Sequence, residues 1–94
     1  MRRALFASPR FNRRLRSWLK AHPETAQDIE SALETLSNDD AHPSLKTHKL
    51  RGALSGWCWA CSAGYDLRIV FEYVKHDGGE AIRLLTLGTH DEVY

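Results

Sequence analysis

The chain has 94 residues, enough for one domain (1–94) with a modest core that stands to gain stability from a partner. Its 43% hydrophobic and 27% charged residues are ordinary for a globular protein, and no apolar run approaches the ~20 residues of a membrane span. A net charge of +1 argues against a general nucleic-acid coat, because phosphate binding rests on Lys and Arg.

In chain order, Arg2, Arg3, Arg10, Arg13, Arg14, Arg16 and Lys20 crowd the first twenty residues with no acid among them, so a basic face is compatible with the small net charge. The basic start is followed by only four apolar residues, Ala4-Leu5-Phe6-Ala7, too few for a signal-peptide core, and the expected location is the cytoplasm. Residues 4–7 suit a short first strand. Ser8 then caps a helix that has Pro9 at its first position, and Phe11, Leu15, Trp18 and Leu19 form one apolar stripe. His22-Pro23 ends it. Ala26, Ile29, Leu33 and Leu36 repeat at helical spacing to about Ser37, which makes a helical hairpin. Asn38-Asp39-Asp40 and His42-Pro43 break the pattern.

The composition then turns to aromatic and β-branched residues. A weak strand fits His48–Ala53, and stronger ones fit 57–63, 66–74 and 81–87, parted by Gly64 and by Asp77-Gly78-Gly79. The order predicts an α+β fold, β-α-α-β-β-β(-β), with the hairpin packed on one face of a twisted, mainly antiparallel sheet. Along 66–74, Leu67, Ile69, Phe71 and Tyr73 alternate with Asp66, Arg68, Val70 and Glu72. The first set belongs under the helices, which leaves Asp66 and Arg68 on the open face. Cys58 and Cys61 have Cys-x-x-Cys spacing, but three residues along a strand turns them to opposite faces. A structural role is expected rather than a shared metal or a disulfide.

RNA can be cleaved without a metal when a base deprotonates the 2′-OH, an acid protonates the departing 5′-oxygen and a cation steadies the phosphorane. Histidines supply acid and base near neutral pH. His22, His42 and His76 sit at element boundaries and read as surface residues. His48, beside Lys46, Lys49 and Arg51, and His90, beyond the last strand, stand where loops above a rigid sheet carry function. Arg68 suits the phosphate, Asp66 suits an imidazole or a proton, and Tyr94 suits stacking on a base. The acids are scattered or helical, so no carboxylate cluster suits Mg²⁺, and no metal or cofactor is expected.

Three runs carry a resemblance: His48-Lys49-Leu50-Arg51-Gly52, Gly64-Tyr65-Asp66-Leu67-Arg68-Ile69-Val70-Phe71, and Gly88-Thr89-His90-Asp91-Glu92-Val93-Tyr94. They resemble the C-terminal half of toxins of the RelE/ParE superfamily, and the Gly-Thr-His ending with an aromatic four residues on is similar to its YafQ-like branch. The resemblance implies a RelE-like fold and the toxin of a type II toxin–antitoxin system, a ribosome-dependent endoribonuclease (mRNA interferase). It implies His48, Asp66, Arg68, His90 and Tyr94 as the catalytic set, with Lys46, Lys49 and Arg51 toward RNA. The implied partners are a cognate antitoxin and mRNA on the ribosome, with operator DNA bound only through the antitoxin. Where RelE has lysines before its arginine, this chain has Trp57, Trp59 and Cys61, so catalysis would lean on the histidines and Asp66. The alternatives are a ParE-like DNA gyrase inhibitor without nuclease activity and an inactive module that binds antitoxin or DNA.

Overall fold

A computed structural model describes residues 2–50, 58–64 and 66–93. Strand β1 (Leu5–Ala7) leads directly into helix α1 (Pro9–Ala21). The Ser8 hydroxyl accepts the Phe11 N–H at 3.1 Å and donates to the Leu85 carbonyl, so one buried side chain both caps the helix and ties it to the sheet. Phe11 is buried, and Leu15, Trp18 and Leu19 pack beside it as the stripe predicts. His22 is the C-cap, its ring tilted against Trp18 at 4.3 Å. A 3₁₀ turn (Pro23–Thr25) leads into helix α2 (Ala26–Asn38). Ile29, Ala32, Leu33 and Leu36 of α2 reach the core, whereas Ala26 is exposed: the stripe begins one turn later than its first apolar residue.

A second 3₁₀ turn (Pro43–Leu45) is capped by His42, whose Nδ1 accepts the Ser44 N–H at 3.1 Å, so this histidine has a structural task. Strands β2 (His48–Lys49), β3 (Trp59–Ser62), β4 (Leu67–His76) and β5 (Gly79–Thr89) follow, and a one-turn helix α3 (His90–Val93) ends the described chain. The sheet order is β1-β5-β4-β3-β2, with β1 parallel to β5 and every other pair antiparallel. This is the expected α+β arrangement. The weak strand predicted over His48–Ala53 is assigned at His48–Lys49; Arg51 to Ala53 lie outside the described residues.

One face of the sheet carries Leu67, Ile69, Phe71, Ile82, Leu84 and Leu87 against Phe11, Ile29 and Leu36 of the helices. The other face is not wholly open. Leu50, Cys58, Ala60 and Val70 form a small second core beneath Leu85 and Val93. A bulge lies beside it: Val70 pairs with Thr86 but Phe71 pairs with Leu84, so Leu85 is an extra residue in β5. It restarts the alternation, sending Leu87 rather than Thr86 to the helical side, while Leu85, next to inward Leu84, stays on the opposite one. Cys58 and Cys61 fall in different cores, as their spacing requires. Both are free thiols, and burial pushes Cys61 up to about 12. At the sheet end opposite α3, Arg3 pairs with Asp40 at 2.8 Å and lies over the Tyr73 ring, and the Tyr73 hydroxyl donates to Asp40. Among the described residues, no helix is long and apolar enough to cross a membrane.

Candidate active site

Paired residues on neighbouring strands project to the same face, so the register places the expected site residues in rows. His48, Ala60, Val70 and Thr86 form one row across four strands. The next contains Ser62, Arg68 and Gly88. Leu67 pairs with Thr89, so Asp66 and His90 flank the end of the same strand pair one step further on. His48 and Arg68 thus belong to the face away from the α1–α2 hairpin. Arg68, Asp66 and His90 gather at the end of β4 and β5. His48 lies on the outermost strand, two strands from Arg68 and two residues along, about 12 Å by sheet spacing. Tyr94 and Arg51 lie outside the described residues.

His48 is exposed, and its Nδ1–H donates to the Lys46 carbonyl at 2.9 Å, because a carbonyl can only accept. The neutral ring therefore carries its lone pair on Nε2, the form a general base needs. Lys46 is exposed and left-handed at φ 50, ending its 3₁₀ turn. Lys49 is exposed too, but it pairs with Trp59, which packs on the helical core, so Lys49 belongs to the face opposite His48. Arg68 is half-buried, with one Nη donating to the Leu67 carbonyl at 3.2 Å. Asp66 is exposed, and His90 is exposed with Nδ1 3.7 Å from Asp91. Among the described residues no group of three or more His, Cys, Asp and Glu side chains comes together to hold a metal ion.

The segment carrying His90 is fastened from beneath. Glu92 accepts the Thr89 N–H at 2.8 Å, which is the glutamate half of a capping box written in Thr89-His90-Asp91-Glu92. Arg14, reaching across from α1, donates to the Leu87 carbonyl at 3.2 Å and pairs with Glu92 at 3.4 Å. The Thr89 bond, followed by the Arg14 guanidinium, holds the Glu92 carboxyl below its ordinary value. Gly88 lies under this clamp, where a Cβ would come within 3.0 Å of Arg14 Nη2 and of Glu92 Oε1. The Thr-x-x-Glu spacing would have revealed the cap in the sequence, whereas nothing local joins Arg14 to residues more than seventy positions away.

Beside this clamp lies an open cleft of about 660 Å³ between the start of α1, the bulged part of β5 and α3. Arg10, Arg14 and Arg83 line it, with Val70, Leu85 and Val93 as its apolar part. Sequence reasoning singled out Arg10 and Arg14 only as members of a basic cluster and passed over Arg83.

No protein-family model matches the chain, and no curated protein is significantly similar to it. Solved structures do match. YafQ from E. coli strain BL21(DE3) superposes with a TM-score of 0.75 at 17% identity, covering 98% of each chain. The E. coli DinJ–YafQ toxin–antitoxin complex superposes with a TM-score of 0.74 at 18% identity, covering 100% of this chain and 99% of that one. A YoeB/ParE toxin from Agrobacterium tumefaciens gives a TM-score of 0.73 at 13% identity, covering 93% and 98%. The chain therefore has the fold of the RelE, YoeB and YafQ type, with helices against a five-stranded mixed sheet.

Proposed function

We propose that this protein is the toxin of a toxin–antitoxin pair and an endoribonuclease that cuts mRNA on the ribosome by metal-independent acid–base catalysis. The observation that carries the reading is the placement of Arg68, Asp66 and His90 at one end of the β4–β5 pair, on a fold shared with YafQ and YoeB/ParE toxins. Arg68 is the cation for the phosphorane. His90 is the acid that protonates the leaving 5′-oxygen, and Asp66 orients it. His48, with its lone pair on Nε2, is the base for the 2′-OH, and Tyr94 stacks on a base of the message. Lys46 and Arg51 serve the RNA backbone; Lys49, expected beside them, is turned to the opposite face by its pairing with Trp59 and is left out of the site. The toxin works in the cytoplasm and is silenced by an acidic, partly disordered antitoxin that folds onto it, and operator DNA is met only through that antitoxin.

The product ends test the chemistry. Attack by the 2′-OH must leave a 2′,3′-cyclic phosphate or 3′-phosphate and a 5′-hydroxyl, so 5′-end mapping of mRNA after expression of the chain should find 5′-hydroxyl termini. His90→Ala should abolish cleavage with the fold intact, and Arg68→Ala should cost about 10²–10³ in rate, as the loss of one electrostatic donor does. A 5′-phosphate product, or full activity in both variants, sinks the mechanism. Gyrase inhibition in a parallel assay with no cleavage would favour the ParE-like alternative.

A further inference from the structure

The cleft beside α3 is a part of the surface that the proposed chemistry leaves unused. Three arginines and one glutamate line it, and the glutamate is already bound to Arg14 and the Thr89 N–H. Arg83 has only a loose 3.9 Å pairing with Glu72, at half exposure of its side chain. Arg10 is exposed on the first turn of α1, and no described residue pairs with it. Two guanidinium groups are therefore available to an anion. Beside them the cleft is aliphatic, formed by Leu85, which faces away from the helices, and Val93, with buried Val70 beneath them. Cationic groups beside an apolar surface match a nucleotide, whose phosphate is anionic and whose base has an apolar face. An acidic peptide would use the arginines but has no general need of the aliphatic surface.

The position fits as well. The row of Val70 and Thr86 is two residues from the row of Arg68 and Gly88, about 7 Å along the strand, a step that one extended nucleotide can span. We propose that this cleft is a subsite for a single-stranded RNA nucleotide next to the one at Arg68, with its phosphate held by Arg10 and Arg83 and its base laid on Leu85 and Val93. The inference rests on the ribonuclease reading for its choice of RNA.

The test is binding of a fluorescent single-stranded 2′-O-methyl oligonucleotide, which cannot be cleaved because its 2′-oxygen cannot attack, to the full chain at several salt concentrations. Each phosphate contact on a single strand contributes about −0.7 to the slope of log K against log salt. An Arg10→Gln/Arg83→Gln double variant should lose about 0.7 of slope, the contribution of one phosphate, and at least tenfold in affinity at 0.1 M salt. Arg16→Gln, an exposed arginine of the same helix outside the cleft, should stay within twofold. Val93→Gln should weaken binding and leave the slope unchanged. Equal affinity and slope in the double variant and the parent would overturn the proposal, as would a parent that binds no RNA. So would poly-glutamate that binds in place of RNA and is lost on the same substitutions, since it would assign the cleft to an acidic polypeptide. Product-end mapping on unmodified mRNA judges the ribonuclease reading separately. Cleavage with 5′-hydroxyl ends that is indifferent to Arg10 and Arg83 keeps the nuclease and overturns the cleft. RNA binding that needs both arginines, without cleavage, keeps the cleft and removes the nuclease.

Discussion

Gly88 shows how one missing side chain sets the placement of another. Its backbone lies under Glu92 and Arg14, and the Cβ of an alanine would stand 3.1 Å from Glu92 Cβ, an atom that cannot swing aside as a carboxylate can. Gly88→Ala should therefore push α3 outward and part Glu92 from the Thr89 N–H. Overpacking of this kind typically costs about 1–3 kcal/mol. Because the clamp is at the surface, the stability loss should fall at the lower end, and mRNA cleavage should fall at least tenfold through His90. Hydrogen exchange at the Thr89 amide reads the clamp directly: the variant should exchange faster there and normally in the centre of β4. Unchanged exchange at Thr89 would mean that Glu92 does not hold the segment. The same amide should respond to pH. The folded Glu92 carboxyl titrates below its ordinary value of 4.5, so its contribution is present above that value and is lost as pH falls through the folded one. The Thr89 amide should lose protection on acidification before the rest of the sheet does.

Helix α1 depends on a single hydroxyl at its start, and that dependence can be measured. Ser8 is buried, caps Phe11 N–H and donates to the Leu85 carbonyl at the bulge. Ser8→Ala removes the cap, at about 1 kcal/mol, and leaves the Phe11 N–H and the Leu85 carbonyl without that partner. For a domain of this size about 1 kcal/mol lowers Tm by roughly 4–8 °C, so a calorimetric fall of less than 2 °C would show the cap to be idle. This capping serine, with proline after it, could be read from the sequence because its chemistry is local, and so could the Phe11 stripe and the alternation along β4. The bulge at Leu85 could not. In Leu84-Leu85-Thr86-Leu87 every position is compatible with a strand, and only pairing with Val70 and Phe71 decides which leucine is extra. The same holds for the site. Residue type and alternation put Asp66 and Arg68 on the open face, but the rows separating His48 from Arg68 come from inter-strand register, which no single segment contains. The clamp from Arg14 to Glu92 likewise joins two ends of the chain.

At the scale of the whole molecule, the two cores and the sheet end share one titration property. Cys61, fully buried against the helices, has its thiol pushed up to about 12 by burial, with Arg68 opposing. Burial also raises Cys58 in the second core, where Glu72 adds to the effect. Tyr73 is raised by burial and then by its bond to Asp40, against the pull of Arg3. In each case the native state favours the protonated form. A folded value above the unfolded one means that the stabilisation is complete below the unfolded value and is lost as pH rises toward the folded one. The unfolded thiols titrate near 9 and the unfolded tyrosine near 10. Stability measured by urea unfolding should therefore be insensitive to these groups up to about pH 8.5. Above that it should fall, first through the two thiols and from about pH 10 through Tyr73 as well. Each pH unit between the unfolded and folded values of one group is worth about 1.4 kcal/mol, so Cys61 alone accounts for a loss on the order of a few kcal/mol by pH 12. Cys61→Ala should be less stable than the parent at pH 7, since it trims a filled core, yet its decline above pH 9 should be shallower. Thiol alkylation at pH 8 should be slow for the native protein and fast in urea. A parent and a Cys61→Ala variant with parallel stability curves from pH 8 to pH 11 would show that the buried thiol ionises without cost to the fold.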